Sequence, residues 1–303
     1  ITVSGTATYP TKGKLSMLTV YVSGTPDSHP TWLEVASAWM RPDYAVIPMD
    51  VIYPVGTTHA DELNAAKIQM DNSQQEAIAA ALTQQGIPFD SEIVVSEATK
   101  GYPAEHLVKA GDIVKTADGV PIHNVSDLRA VIKKDGIGNS VELVVDRAGK
   151  SVTVSVGVVA SKQDGATPVI GILCSGQYVF PFTVDISLSN VGGPSAGMMF
   201  ALGIIDTITP GPLTGGENVA GTGEITADGL VGPIGGIVQK AYGARASGAK
   251  WLLVPAENCA DLVGHVPDGL REISVSTLSD SMKALRAISS HSGTDALPHC
   301  TAG

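Results

Sequence analysis

The chain has 303 residues, a formal net charge of -11 and a pI near 5.0. Hydrophobic residues make up 44% and charged residues 16%, the composition of a folded globular protein long enough for about two domains. The acidic balance and the lack of a basic stripe argue against nucleic acid as a partner. The sequence contains no apolar run of about 18 residues, so it predicts no membrane span within this chain. Because the sequence starts at Ile1 and not at Met, we expect a processed or truncated N-terminus.

The N-terminal section predicts strands followed by a helix. The segment TATYPTKGKLSMLTVYV carries β-branched and apolar residues on both sides of a Lys-Gly-Lys turn, which indicates a β-hairpin. Further on, NSQQEAIAAAL places Ser73 three residues before Glu76 and an alanine-rich run. This spacing predicts a capping box that opens a helix.

A β-rich module is predicted over 87–159, where short strands alternate with turns around one helix. Its segment GYPAEHLVKAGDIVKTADGVPIHNVSDLRAVI resembles a PDZ domain of the bacterial protease-associated kind. The resemblance implies binding of an extended peptide or C-terminus by strand addition. We expect the carboxylate-binding loop before the module's first strand, at Gly86, Ile87, Pro88 and Phe89, although GIPF departs from the Gly-Leu-Gly-Phe wording.

The stretch VGGPSAGMMF places Ser195 at the start of a helix predicted over 194–206, with Met198, Met199, Leu202 and Ile205 on one face. A helix N-terminus offers unpaired N–H groups and a positive dipole end, which suit a developing oxyanion. Such an entrance is equally typical of capping or of phosphate binding. If the site is catalytic, the residues expected to surround the oxyanion and the approaching substrate are Gly192, Gly193, Ser195 and Ala196.

A base for Ser195 is indicated in VGPIGGIVQKAYGARASGAK, where helical spacing puts Lys240 on one face with Ile237, Ala241 and Ala244. Burial lowers the pKa of lysine from roughly 10.4, so that a neutral fraction accepts a proton near physiological pH. The alternative is a lysine whose stem lies along the core while its amine reaches water. The nearby histidines are poor candidates for the base, since His265 lies in a loop and His291 and His299 lie in the C-terminal tail. No HExxH zinc motif is present, and a flexible terminus is favoured over metal binding by His291, His299 and Cys300.

From Val219 to Asn258 the sequence closely resembles the proteolytic domain of Lon proteases, and GGPSAG resembles the motif that holds their serine nucleophile. The resemblance implies that Ser195 is the nucleophile, Lys240 the general base and Thr222 a hydroxyl that orients Lys240. It also covers the N-terminal hairpin and helix. The fold class is therefore predicted as α/β (α+β), a Lon-type proteolytic domain at 1–86 and 160–288 interrupted by the PDZ-like module, with a C-terminal tail at 289–303.

Two departures from the Lon pattern limit what the resemblance implies. Gly192 stands where many Lon enzymes have an aspartate three residues before the serine. The sequence RAGKS imitates the end of a phosphate-binding loop, but Val144 occupies the place of the required first glycine. We therefore predict an ATP-independent serine endopeptidase that acts on unfolded or terminal segments without cofactor, metal or nucleotide, and the resemblance implies a homo-oligomer such as a hexameric ring.

The cysteines bear on the compartment. Cys174, in an apolar run, is interpreted as a small buried hydrophobe, whereas Cys259 and Cys300 form the natural pair if the compartment is oxidising. Sequence alone leaves the connectivity open. The resemblance extends to bacterial proteins anchored by an N-terminal helix on the extracytoplasmic face of the membrane. The rival interpretations are a non-catalytic PDZ scaffold with a degenerate or latent Lon-like domain, and a phosphate-binding protein that uses the GGPSAG turn.

Overall fold

The computed structural model describes residues 1–25, 28–53, 59–162, 165–188 and 191–301. They form two compact units, of which the first combines Ile1–Pro88 with Phe182–Gly303 and the second is Phe89–Pro181. The second unit is thus inserted into the first along the chain. It extends beyond the predicted module end at 159 because a strand at Ile172–Val179 pairs antiparallel with Asp90–Ala98.

The first unit contains both strands and helices on either side of the insertion. Before the insertion its elements are β1 (Thr2–Ser4), β2 (Lys14–Met17), α1 (Trp32–Trp39), α2 (Met49–Ile52) and α3 (His59–Gln85). After it come β11 (Thr183–Asp185), α5 (Gly197–Ile208), β12 (Asn218–Gly221), β13 (Glu224–Ile225), β14 (Val231–Gly232), α6 (Ile237–Ala246), β15 (Trp251–Pro255), α7 (Cys259–Leu262), β16 (Arg271–Val275) and α8 (Leu278–Ser289). No helix of the described ranges is both long and apolar enough to cross a membrane.

A parallel sheet with the strand order β16-β15-β12-β2 lies at the centre of this unit. Parallel sheets are normally covered on both faces. Leu252 and Val254 of β15 pack with the apolar face of α6, whereas Leu253 lies near Gly221 on the side of Met199 of α5. The helices on the two faces thereby hold the carboxyl end of β12 between α5 and α6.

Two predictions for the N-terminal section are wrong. The Lys-Gly-Lys segment does not close a hairpin, because Lys14–Met17 pairs in parallel with Asn218–Gly221, about 200 residues later in the chain. Ser73 is not a helix cap, because α3 begins at His59 and runs through it. Local turn and cap signals were outweighed in both cases by pairing and packing with distant segments.

The C-terminal segment is fixed to the first unit. The structure joins Cys259 and Cys300 by a disulfide with a sequence separation of 41. The backbone N–H of Ser274 on β16 donates to the carbonyl of Pro298 at 2.9 Å. The predicted tail therefore lies along the edge of the sheet, although its last two residues fall outside the described ranges.

The second unit is an antiparallel sheet with one long helix. Its elements are β3 (Asp90–Ala98), β4 (Ile113–Ala117), β5 (Val120–Pro121), α4 (Val125–Asp135), β6 (Ser140–Arg147), β7 (Lys150–Gly157), β8 (Val159–Ala160), β9 (Pro168–Val169) and β10 (Ile172–Val179). The sheet has the order β10-β3-β4-β6-β7, with β5 added to β4. Its core includes Ile93, Val114, Leu143, Leu128 and Ile170, all buried.

Candidate active site

Ser195 lies in the turn that leads into α5, just before the helix N-cap at Ala196. The helix begins at Gly197, three residues after the predicted start at 194. The four residues predicted to share its apolar face are all buried, as that pattern required: Met198, Met199, Leu202 and Ile205. Their burial fixes the helix, and Ser195 is half-buried at its entrance.

Helix α3 holds the turn from one side. The Ser73 hydroxyl donates a hydrogen bond to the carbonyl of Pro194 at 3.0 Å, and the N–H of Gly193 donates to the carbonyl of Ala66 at 2.8 Å. Gly193 has φ +86°. A Cβ at Gly192 would lie 2.8 Å from the Cβ of Ala66. The two glycines therefore allow close contact with α3 and a left-handed backbone, which other residues resist.

The segment after β12 holds the turn from the other side. The Ser195 carbonyl accepts hydrogen bonds from the N–H of Gly223 at 2.8 Å and from the Thr222 hydroxyl at 3.0 Å. Thr222 follows the carboxyl end of a central parallel strand, the end where open α/β sheets place their functional residues. The sheet thus positions the backbone of the candidate nucleophile directly.

Lys240 reaches the same point from α6. It is 2% exposed, and its amine donates a hydrogen bond to the Thr222 hydroxyl at 3.1 Å. The residues predicted to share its face, Ile237, Ala241 and Ala244, are buried with it, so that prediction is confirmed. The structure therefore brings Lys240, Thr222 and the Ser195 backbone together.

Burial controls the protonation of Lys240. Desolvation lowers the pKa of its amine to about 8, while the negative charge of Glu224 opposes part of that shift. Desolvation likewise raises the pKa of Glu224, and the charge of Lys240 opposes it. At neutral pH a useful fraction of Lys240 is neutral and able to accept a proton.

The Ser195 side chain itself is unpartnered within the described ranges: its hydroxyl makes no hydrogen bond there, and its link to Lys240 runs through Thr222 and the backbone. Catalytic hydrogen bonds are often unformed in structures without substrate. The described segments also offer no acceptor to the N–H groups of Ser195 and Ala196. Gly193 differs, because its N–H donates to the carbonyl of Ala66; of the four predicted oxyanion residues, Gly192, Ser195 and Ala196 have N–H groups without an acceptor in the described ranges.

Peptide binding at the predicted segment Gly86, Ile87, Pro88 and Phe89 stays a prediction, and of these residues only Phe89 belongs to the second unit. Strand addition requires an unpaired strand edge. The strand after this segment, β3, is paired with β10 on one side and with β4 on the other. The segment itself joins the end of α3 to β3, and the Phe89 ring packs against the Tyr178 and Phe180 rings.

The outer strands of the described sheet are β7 and, at the opposite edge, β10. This strand runs beside α4 and follows the loop at Ile170 and Gly171. Gly171 has φ +83°, and a Cβ there would overlap the Tyr102 side chain. The loop N–H groups of Ile170 and Gly171 have no acceptor in the described part of the chain. β10 therefore combines an edge strand, an adjacent helix and loop N–H groups without an acceptor in the described residues. These are the features that binding by strand addition requires and that were expected at 86–89.

Two further residues near the candidate dyad were missed by sequence reasoning. The sequence pattern assigns no role to Glu224 and predicts Ser73 only as a cap. The apolar periodicity used to find Ser195 and Lys240 says nothing about polar residues brought in by distant pairing. No group of three or more His, Cys, Asp or Glu side chains within the described ranges is arranged to hold a metal ion.

Two stretches of the chain match known protein families. Residues 189–287 match the Lon protease (S16) C-terminal proteolytic domain, and residues 67–158 match the PDZ domain. The first match contains Ser195, Thr222 and Lys240. The second match begins within α3 of the first unit and ends before β10. The chain is therefore similar to a Lon-type proteolytic domain in one part and to a PDZ domain in another.

Curated relatives agree with the first match. Lon protease 2 of Bacillus subtilis (strain 168) is 39% identical over 105 residues, covering 33% of this chain and 18% of that protein. Lon protease of Rhizobium meliloti (strain 1021) is 43% identical over 79 residues, covering 26% of this chain and 9% of that protein. The chain thus spans less than a fifth of the length of these relatives.

Among solved structures, the PDZ domain of an SdrC-like protein from Listeria monocytogenes matches 27% of this chain and 85% of its own, with 23% identity and a TM-score of 0.26. The PDZ domain of the SdrC-like protein from Listeria innocua matches 27% of this chain and 92% of its own, with 25% identity and a TM-score of 0.26.

Proposed function

We propose that the chain is a serine endopeptidase that uses a Ser195-Lys240 dyad and needs no ATP. One observation carries the proposal: a lysine amine that is 2% exposed donates to Thr222, whose hydroxyl in turn donates to the backbone of the candidate nucleophile. A buried lysine with a lowered pKa beside an exposed helix entrance is a suitable general base for a serine hydroxyl.

In the proposed reaction the Ser195 Oγ attacks the carbonyl carbon of the scissile peptide bond. Neutral Lys240 takes the hydroxyl proton as the new C–O bond forms, and the N–H groups of Ser195 and Ala196 stabilise the oxyanion. Lys240 then gives the proton to the leaving amine as the C–N bond breaks. Water hydrolyses the acyl-enzyme in the second half, with Lys240 again as base, and Ser195 is restored.

The PDZ unit, in this proposal, adds an extended peptide to the outer edge of β10, with a terminal carboxylate received by the N–H groups of Ile170 and Gly171. The peptide is a substrate or a regulatory ligand. The proposed substrates are unfolded or terminal segments, which reach the site without ATP-driven unfolding.

The setting is part of the same proposal. A disulfide between Cys259 and Cys300 supports an oxidising compartment. The extracytoplasmic face of a bacterial membrane and an N-terminal anchoring helix are proposed from the resemblance to bacterial Lon-like proteins with a PDZ domain alone. A homo-oligomeric ring follows from the likeness to Lon proteolytic domains alone.

The test is hydrolysis of an unfolded protein and a fluorogenic peptide library without ATP by the wild-type chain and by the Ser195→Ala and Lys240→Ala variants. Exposed Lys67 provides the matched control, Lys67→Ala. We expect cleavage by wild type and control, and a loss of at least about a thousandfold in kcat for both dyad variants while they remain folded. Peptide binding by a wild-type chain that cleaves nothing would favour the scaffold alternative.

The PDZ assignment has its own test, hydrogen exchange of the full chain with and without an extended peptide that ends in a free carboxylate. Slower exchange of β10 amides, with β3 unchanged, is the expected result. Protection of the segment at 86–89 without protection of β10 would contradict the assignment.

A further inference from the structure

A cavity of about 180 Å³ lies against the nucleophile turn. Its walls come from α3, from the turn itself and from β13: Gln69, Asn72, Ser73, Glu76, Pro194, Glu224 and Ile225. Pro194 immediately precedes Ser195, and its carbonyl is the acceptor of the Ser73 hydroxyl. A peptide held with its scissile bond at Ser195 therefore carries a neighbouring side chain to the mouth of this cavity.

The cavity has room for one side chain. Since a water molecule occupies roughly 30 Å³ in the liquid, the volume corresponds to about six water-sized groups. That is the scale of a lysine or arginine side chain and too small for a folded ligand. The wall surface that faces the cavity is mostly apolar, and the polar groups of Gln69, Asn72, Ser73, Glu76 and Glu224 contribute the smaller part. An apolar wall suits the methylene stem of such a side chain, and a carboxylate suits its charged end.

The two carboxylates differ in their engagement. Glu76 accepts a hydrogen bond from the N–H of Ala227 at 2.5 Å, which fixes its position. Glu224 forms no hydrogen bond or ion pair with any residue of the described ranges, although it lines the same cavity. Lys240, the nearby cation, gives its hydrogen bond to Thr222. Glu224 is thus an exposed carboxylate that makes no hydrogen bond or ion pair within the described ranges but interacts electrostatically with Lys240, next to a cavity that fits one long side chain.

A bound cation would meet a favourable field there. Partial desolvation raises the pKa of Glu224, and a positive group beside it would stabilise the charged carboxylate. The same positive group would act on Lys240 as a like charge and favour its neutral form. Occupation of the cavity by a basic side chain would therefore assist the base that the proposed reaction requires.

We propose that this cavity is a specificity subsite that accepts a lysine or arginine side chain of the substrate, with Glu224 as its charged partner. The inference rests on the proposed peptidase function and names the substrate class of that same site.

The test compares fluorogenic peptides that differ at one position, with Lys, Arg, Gln, Leu or Glu placed in turn at each position around the cleaved bond. The readout is the ratio of kcat/KM for the Lys peptide to that for the Gln peptide within each variant, because the ratio is insensitive to a general change in activity. Wild type and Glu224→Gln are compared with a matched control, Glu257→Gln, which alters an exposed glutamate elsewhere in the same unit.

We expect a ratio of at least tenfold at one position for wild type and control, a fall below threefold for Glu224→Gln, and a preference for Glu over Lys in Glu224→Lys. Equal cleavage of Lys and Gln peptides by wild type at every position would overturn the subsite while leaving the peptidase intact.

If no peptide is cleaved, binding measurements test the subsite separately from the proposed hydrolysis. Affinities of the same Lys and Gln peptides are measured for Ser195→Ala and for Ser195→Ala combined with Glu224→Gln. A Lys preference that disappears in the double variant supports the subsite even if the proposed hydrolysis fails. Equal affinities in both proteins overturn it.

Discussion

Thr222 connects Lys240 to the backbone of Ser195: its hydroxyl accepts from the lysine amine at 3.1 Å and donates to the serine carbonyl at 3.0 Å. Thr222 is fully buried. One hydroxyl therefore both anchors the base and fixes the turn that carries the candidate nucleophile. Thr222 is thus a positioning residue, and removing its hydroxyl should lower activity without changing the fold.

Replacing Thr222 by valine removes the hydroxyl and keeps the volume. We expect kcat to fall roughly ten- to a hundredfold with a smaller change in KM, because the loss acts on the geometry of the dyad and leaves peptide contacts in place. Steady-state kinetics on a cleaved peptide measure the split. Thr226→Val, which removes a hydroxyl that bonds Asp228 and not the dyad, is the matched control. Equal losses in the two variants would remove Thr222 from the positioning role.

The pH dependence of kcat/KM should report Lys240. Because burial lowers the pKa of its amine to about 8, activity should rise with pH as the neutral base forms and level off above that value. Glu224→Gln removes the negative charge that raises the pKa of Lys240. The rising limb of the pH profile should therefore move to lower pH in this variant. Rate profiles between pH 5 and 10 check both points. A profile that falls on raising the pH through 8 would contradict the neutral-lysine base.

The same burial implies that Lys240 destabilises the fold. Below about pH 8 the amine of Lys240 is charged in both the folded and the unfolded state. In the folded protein this charge is buried, whereas in the unfolded chain, where the lysine pKa is 10.5, it is in water. Between about pH 8 and 10.5 the unfolded state binds more protons than the folded state, so the free energy of unfolding rises with pH in that interval. Lys240→Met should therefore raise the free energy of unfolding at pH 7 by about 1–3 kcal/mol, with a smaller gain at pH 10.

Urea titrations of the first unit at the two pH values measure this gain. The exposed lysine variant Lys67→Met should change stability little at either pH. A Lys240→Met variant that is less stable than wild type at pH 7 would mean that the amine is solvated, as in the interpretation of a lysine that reaches water.

Gly193 should be needed for activity more than for folding. Its φ of +86° disfavours any other residue, so Gly193→Ala should lose about 1–2 kcal/mol of stability. Gly211→Ala is the matched control, because Gly211 has φ +93° and open space around its Cβ position but lies after the far end of α5. We expect similar losses of unfolding free energy in the two variants and a loss of peptide cleavage only in Gly193→Ala. Full activity in a folded Gly193→Ala variant would contradict the role of the turn.

The sequence was most informative where local periodicity decided the structure. Apolar spacing placed Ser195 at a helix entrance and Lys240 on a buried face, because a helix repeats within a few residues. It failed where distant segments pair: β2 joins β12 instead of closing a hairpin, and β10 pairs with β3 beyond the predicted module end at 159. The position of Glu224 beside the cavity depends on such pairing as well, so no local pattern identified it.

The disulfide between Cys259 and Cys300 should account for much of the stability of the C-terminal segment. It closes a loop with a sequence separation of 41, for which the chain-entropy model gives about 4 kcal/mol. Cys300→Ser should therefore lower the urea midpoint of the first unit, and reduced wild type should match it. Cys174→Ser, which alters the free cysteine of the other unit, should leave the first unit's midpoint unchanged. If reductant does not change the wild-type midpoint while thiol labelling confirms reduction, the cross-link is not a source of stability and its support for an oxidising compartment is lost.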